Sequence, residues 1–181
     1  MTESTTIDRS AFVGTAMSLH TAGFKPEGSY LVEVLGAKPD VYEGTNDNGE
    51  HFVSNRINFT LRALKQATYS PDGTGKGVYT GETTLDTPIT FFKKVNIATK
   101  GLQFLRTAYQ SVTGTLPAGR PDYLAMAEEL RGSKFWINAF WIQDKNTGAW
   151  SEQIKNVVRS QQEGPLQSIV LRAPEVGGDE D

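Results

Sequence analysis

The chain contains no cysteine, which removes disulfides, thiolate-held zinc and thiol nucleophiles from consideration together. Histidine is nearly as scarce. His20 has no evident partner, and His51 reads as a surface or loop residue rather than a catalytic base. No apolar run approaches the roughly 20 residues of a membrane-spanning helix. The opening MTESTTIDRS has neither the basic start nor the apolar stretch of a secretory signal. A soluble, cytoplasmic protein with no membrane contact, no metal and no cofactor is expected. Catalytic patterns are equally thin. DGTGKG (72–77) lacks the full spacing and the strand-to-helix setting of a phosphate-cradling loop, so it reads as a turn. The carboxylates lie mostly in loops and tails rather than in the cluster a Mg²⁺-dependent nuclease needs. Glu128 and Glu129 are neighbours on a helix and point in different directions. A non-enzymatic protein is the expectation, with a small phosphodiester-cleaving enzyme the weakest alternative.

What is present fits one domain: 181 residues, 38% of them hydrophobic, are enough for a real core. The net charge of −3 hides an uneven distribution. Residues 1–50 carry eight acids and three bases, whereas residues 51–160 carry fourteen bases and eight acids. The last seven residues, EVGGDED, hold four acids and no base. With so little to bury, they are expected to form a disordered anionic end. The expected organisation is an N-terminal extension over 1–24, a folded domain over 25–172 and a flexible acidic tail over 173–181.

The apolar pattern predicts strands first. GSYLVEVLGAKP (28–39) is rich in Val, Leu and Tyr between Gly and Pro, and VYEGTNDNGE (41–50) reads as a polar loop. In FVSNRINFTLRAL (52–64), Val53, Ile57, Phe59 and Leu61 share one parity and Arg56, Asn58, Thr60 and Arg62 the other, which is half-buried strand alternation. ATYSPDGTGKG (67–77) reads as a turn-rich connection. VYT and PITFFKKV (88–95) read as pieces of an interrupted third strand. From Asn96 the period becomes helical through Val112, with Asn96 as the expected cap and Gly114 as the end; Asp122 can cap a second short helix through Leu130. Residues 134–143 and 149–159 then form a hairpin about DKNTG, where Gly148 can take a positive φ.

Three strands, a helix and two strands make the order of a five-stranded OB-fold barrel, a β-rich α+β class with a helix between strands 3 and 4. Its face around strands 2 and 3 and the adjoining loops often bind oligonucleotides. On that expectation Arg56, Asn58, Arg62 and Lys65 supply cations and an amide to a backbone-tracking groove. Tyr69, Lys76, Tyr79, Lys93 and Lys94 extend the mixture of aromatic and basic residues. In the fourth strand Phe135, Ile137, Ala139 and Trp141 should face inward, leaving Trp136 and Phe140 as a stacking platform, with Trp150 next in line. Packing of those rings against the helix or a second subunit is the competing reading.

The element order, the segment LRGSKFWINAFWIQDKNTGAWSEQIKNVV after a helix and the acidic end together resemble phage-encoded single-stranded DNA-binding proteins, and the small phage proteins encoded near recombination genes. The resemblance covers roughly residues 25–160 in layout. It implies an OB-fold that coats single-stranded DNA during replication or recombination with little sequence preference. It also implies a tail, here Asp179, Glu180 and Asp181, that contacts replication or recombination proteins and competes with DNA for the groove. Many such tails finish in an aromatic residue; this one finishes in Asp181. The rival reading is a phage accessory or structural module that binds protein, with its outer aromatics buried in a homo-oligomer or another partner.

Overall fold

The computed structural model describes residues 25, 27–71, 77–98, 100–160 and 164–165. The predicted N-terminal extension, Lys76 with most of its glycine-rich connection, and Asp179, Glu180 and Asp181 lie outside the described residues. The described elements are β1 (Gly28–Thr45), β2 (His51–Pro71), β3 (Gly77–Asn96), α1 (Leu102–Thr113), α2 (Tyr123–Glu129), β4 (Lys134–Gln143) and β5 (Trp150–Ser160). The sheet runs β3-β2-β1-β4-β5, with every neighbouring pair antiparallel. It curls into a nearly closed barrel with both helices between the third and fourth strands, which is the five-stranded OB order read from the sequence.

Several boundaries differ from the sequence reading. The loop expected over 41–50 is mostly ribbon: β1 and β2 stay paired out to Thr45 and His51. Asn46 closes the end, its side chain accepting from the backbone N–H groups of Asn48 and Glu50, while Gly49 takes φ 80°. β2 and β3 likewise run through the expected turn to Pro71 and from Gly77, so the third strand is continuous. Asn96 caps no helix. Its Oδ1 accepts from the Ala98 N–H in a turn, its amide nitrogen donates to Ser54, and α1 begins only after Gly101. The second cap is as expected: Asp122 accepts from the N–H groups of Leu124 and Ala125.

The barrel interior follows the pleat of β2. Ile57, Phe59, Leu61 and Ala63 point inward and are buried, beside Tyr30, Val32 and Val34 of β1, Phe91 and Val95 of β3, and Phe135, Ile137 and Ala139 of β4. Burying a side chain of this size contributes roughly 1.5–3 kcal/mol. Helix α1 closes one end of the interior with Phe104, Leu105 and Ala108; the Phe104 ring stands edge-on to Phe59 and Phe135. Register shifts near Val32, Val34, Ala63 and Thr68 mark bulges, which bend and twist the strands enough to curl the sheet.

Closure between β3 and β5 is made by side chains rather than by a ladder among the described residues. The Lys93 ammonium on β3 donates to the Ile154 carbonyl of β5 at 2.7 Å. Lys25 completes the seam by pairing with Glu152 of β5 at 2.9 Å while lying 4.9 Å from the centre of the Phe91 ring. Its own carbonyl accepts from the Trp141 indole. Tyr30, inside this end of the barrel, has its hydroxyl pKa pushed up to about 12, by burial first and the Glu152 carboxylate second.

Trp136 requires a correction. It sits on the outer side of β4, as its parity requires, but its exposure is 0%, in a second cluster with Leu31, Ala67 and Tyr69. Its ring therefore offers no open stacking surface. Trp136→Ala should cost about 3–5 kcal/mol of stability through the cavity it leaves, read as a lower midpoint in urea denaturation, and Trp136→Phe should cost clearly less.

Candidate nucleic-acid interface

β2 is paired along both edges, so the residues its pleat turns outward meet neighbours from β1 and β3 in rows. One row is Lys38, Asn58 and Lys94; the next is Gly36, Thr60 and Phe92. Beyond them lie Asp40, Arg56 and Asn96 on one side and Glu33, Arg62 and Thr90 on the other. Strands stand about 4.8 Å apart and alternate residues about 7 Å apart, so these rows form one continuous patch.

The patch holds an exposed ring. Phe92 is 69% exposed, the largest value among the large hydrophobic residues described, while its neighbour Phe91 is fully buried. The cations around it differ in availability. Lys94 is exposed, and Arg56 lies 4.1 Å over the ring of Tyr42, which in turn packs against Phe52 with centroids 5.8 Å apart. Neither cation has a carboxylate within 4.0 Å among the described residues. Arg62 and Lys65 are neutralised instead: Arg62 pairs with Glu33 at 2.5 Å, and Lys65 pairs with Glu82. To reach a phosphate, each must exchange its carboxylate for the new anion. Asn58 is half-buried in the middle of the patch, its Oδ1 enclosed without a hydrogen-bond partner.

The remaining predicted site residues divide among other surfaces. The bulge between Ala63 and Lys65 reverses the parity of β2, which turns Ala67 and Tyr69 outward against Leu31 and Trp136. Tyr69 is half-buried there. Its hydroxyl donates to Ser29 at 2.8 Å, and its pKa is raised, chiefly by burial. Tyr79 stands edge-on to Tyr69 at 6.1 Å, and the buried Gly164 lies so close that an added Cβ would meet the Tyr79 hydroxyl at 3.2 Å. Leu31, Ala67 and Trp136 are buried on this half of the outer side, while Tyr79 at its margin stays partly open, 37% exposed.

Lys93 and Lys94 are not partners, because adjacent strand residues face opposite ways. Lys93 points to the seam, 5.5 Å from the Phe104 ring centre, and its pKa is lowered by desolvation. Phe140 and Trp150 belong to the β4–β5 hairpin. Phe140 is half-buried under Lys155, 5.3 Å from its ring centre, and Trp150 pairs with Gln143 on the opposite parity. The structure thus brings together Arg56, Asn58, Arg62 and Lys94 from the sequence reading, with Lys65 just beyond. It separates them from Lys93, Tyr69, Tyr79, Trp136, Phe140 and Trp150.

Sequence reasoning passed over Tyr42, Phe52 and Lys38, and placed Phe92 with Phe91 in the aromatic and basic mixture without singling it out as a site residue. For Phe92 a signal existed: in TFFKK, strict alternation sends one Phe and one Lys to each side. Among the described residues, no group of three or more His, Asp or Glu gathers as a metal site, and no helix is long and apolar enough to cross a membrane. A scan of the chain against protein-family models found no match, and a comparison with curated proteins found none either.

The two neighbouring phenylalanines test the strand parity on which this patch depends. Phe91→Ala should destabilise the fold by about 3–5 kcal/mol. Phe92→Ala should stay within about 0.5 kcal/mol of the parent, both read from denaturant unfolding.

Proposed function

We propose that the protein binds single-stranded DNA on the outer side of β2 and β3, with Phe92 as the stacking ring and Lys94 and Arg56 as phosphate contacts. The observation that carries this reading is the exposed Phe92 ring in the row beside Lys38, Asn58 and Lys94. A ring left open costs hydrophobic stabilisation, and stacking on a base recovers it without selecting the base. Lysine and arginine beside it neutralise phosphate, while Thr60 and Thr90 offer hydroxyls to sugars and base edges. The OB order supports the reading because strands 2 and 3 are the usual oligonucleotide face of that barrel. Such a protein coats and protects single-stranded DNA with little sequence preference. The phage replication or recombination setting rests on the sequence resemblance.

A second reading is favoured by one feature. Residues 39–55 form a two-stranded ribbon beyond the β1–β4 pairing, and it exposes Val41 (60%) and Val53 (56%) on the side opposite Tyr42 and Phe52. An apolar surface of that kind suits protein contact. A stable oligomer indifferent to DNA would favour this interaction module over the nucleic-acid reading.

Fluorescence anisotropy with labelled oligo-dT and a duplex of equal length tests the proposal. The single strand should bind far better than the duplex, and its affinity should fall steeply with salt. Phe92→Ala should lose about 1–3 kcal/mol of binding. Lys94→Ala should weaken all sequences alike and reduce the salt slope by about 1. Arg62→Ala should cost less, because its charge is already met by Glu33. A folded Phe92→Ala variant that binds like the parent would overturn the assignment.

A further inference from the structure

The β1–β2 ribbon carries two further rings on the same outward parity as Phe92. Tyr42 pairs with Ser54 and Gly44 with Phe52, and no register shift separates these rows from the Gly36–Thr60–Phe92 row. The Tyr42 and Phe52 centroids lie 5.8 Å apart at an interplanar angle of 49°, and the Arg56 guanidinium lies 4.1 Å from the Tyr42 centroid. Gly44 makes room for the pair, because a Cβ there would lie 3.0 Å from both Tyr42 Cε1 and Phe52 Cζ. The ribbon is held in line with the sheet at its base, where the Asn96 amide donates to Ser54 at 2.7 Å and the Ile97 N–H to the Asn55 carbonyl at 3.2 Å.

A cross-strand ring pair stabilises a two-stranded ribbon, and that role accounts for the contact between the rings. It does not account for Arg56. Asp40 stands directly across from it, yet no ion pair forms between them within 4.0 Å, and the guanidinium lies over Tyr42 instead. A cation held on a ring keeps its charge for an incoming anion. The rings also keep open surface: Tyr42 is 44% and Phe52 39% exposed. A ring with a cation beside it suits one nucleotide, whose base stacks while its phosphate meets the charge.

We infer that Tyr42, Phe52 and Arg56 form a second stacking subsite, so that a bound single strand runs lengthwise along β2 from Phe92 onto the ribbon. The inference rests on the proposed function. The Tyr42–Ser54 row is six residues along β2 from the Thr60–Phe92 row, about 20 Å at the rise of a strand. A stacked strand rises about 3.4 Å per nucleotide, so about six nucleotides cover that distance. Lys38, Asn58 and Lys94 lie in a row between the two stations.

Fluorescence anisotropy with labelled dT3, too short to reach both stations, and dT12, which is long enough, tests this. Tyr42→Leu removes the ring but keeps an apolar contact for Phe52, and Phe52→Leu is a second variant read in the same way. Tyr42→Phe keeps the ring, and Val53→Ser, on the opposite side of the ribbon, is the control. Tyr42→Leu should bind dT12 at least about fivefold more weakly than the parent, while Tyr42→Phe and Val53→Ser should match the parent. Two linked contacts raise affinity together, so the advantage of dT12 over dT3 should shrink in Tyr42→Leu. A loss of equal size for dT3 and dT12 would overturn the lengthwise path. An equal loss in Val53→Ser would assign the effect to the shape of the ribbon and overturn the subsite. If both leucine variants bind dT12 like the parent while Phe92→Ala weakens it, the subsite falls and the proposed function stands. No binding of dT12 by the parent would overturn both.

Discussion

Pairing of β2 along both of its edges is the constraint on which the rest of the molecule depends. A strand hydrogen-bonded to β1 on one side and β3 on the other cannot rotate, so its pleat assigns each residue permanently to the interior or the surface. Ile57, Phe59 and Leu61 are thereby committed to the core and Arg56, Asn58, Thr60 and Arg62 to the face. The same pairing fixes β3, whose Phe91 and Phe92 receive opposite fates from one register. A slip of one residue would bury Lys94 and expose Phe91, at a cost of several kcal/mol. Core and candidate site are thus two sides of a single hydrogen-bonding pattern.

The bulge after Ala63 divides the outer side in two. Before it, polar residues and Phe92 stay open; after it, Leu31, Ala67, Tyr69 and Trp136 pack together. The division explains why the richest aromatic stretch of the chain, around Trp136, is structural, whereas a lone phenylalanine on β3 remains available. The seam follows from the same curvature. Among the described residues the two end strands approach without a ladder and are joined by Lys93 and Lys25, whose side chains reach across.

The parity of residues 56–62 was legible because apolar and polar residues alternate there without interruption, whereas Val53, read on the same parity as Ile57, is exposed and Ser54 is buried; the barrel order followed from the sequence of strand and helix patterns. The ribbon over 41–55 was not legible. Both of its sides mix apolar and polar residues, Glu43 and Asn55 beside Val41 and Val53 on one and Asp40 and Ser54 beside Tyr42 and Phe52 on the other, so no alternation marks it as a strand. Asn96 read as a cap because the helical period starts next to it, but Ile97 and Ala98 form a turn and α1 begins only after Gly101. The pairs that neutralise Arg62 and Lys65 depend on cross-strand register, with Glu33 and Glu82 distant in sequence, and no local pattern announces them. Parity placed Trp136 on the outer side correctly, yet what covers a surface is a tertiary fact.

The central claim is that the open half of the β2–β3 surface, and not the aromatic hairpin, is where a single strand of DNA lies. Chemical-shift mapping of isotope-labelled protein with a short oligo-dT tests it most directly. The account predicts the largest shifts at amides of residues 56–62 and 90–95 and at the Phe92 ring. Shifts confined to the β4–β5 hairpin around Phe140 and Trp150, with Phe92 undisturbed, would contradict it.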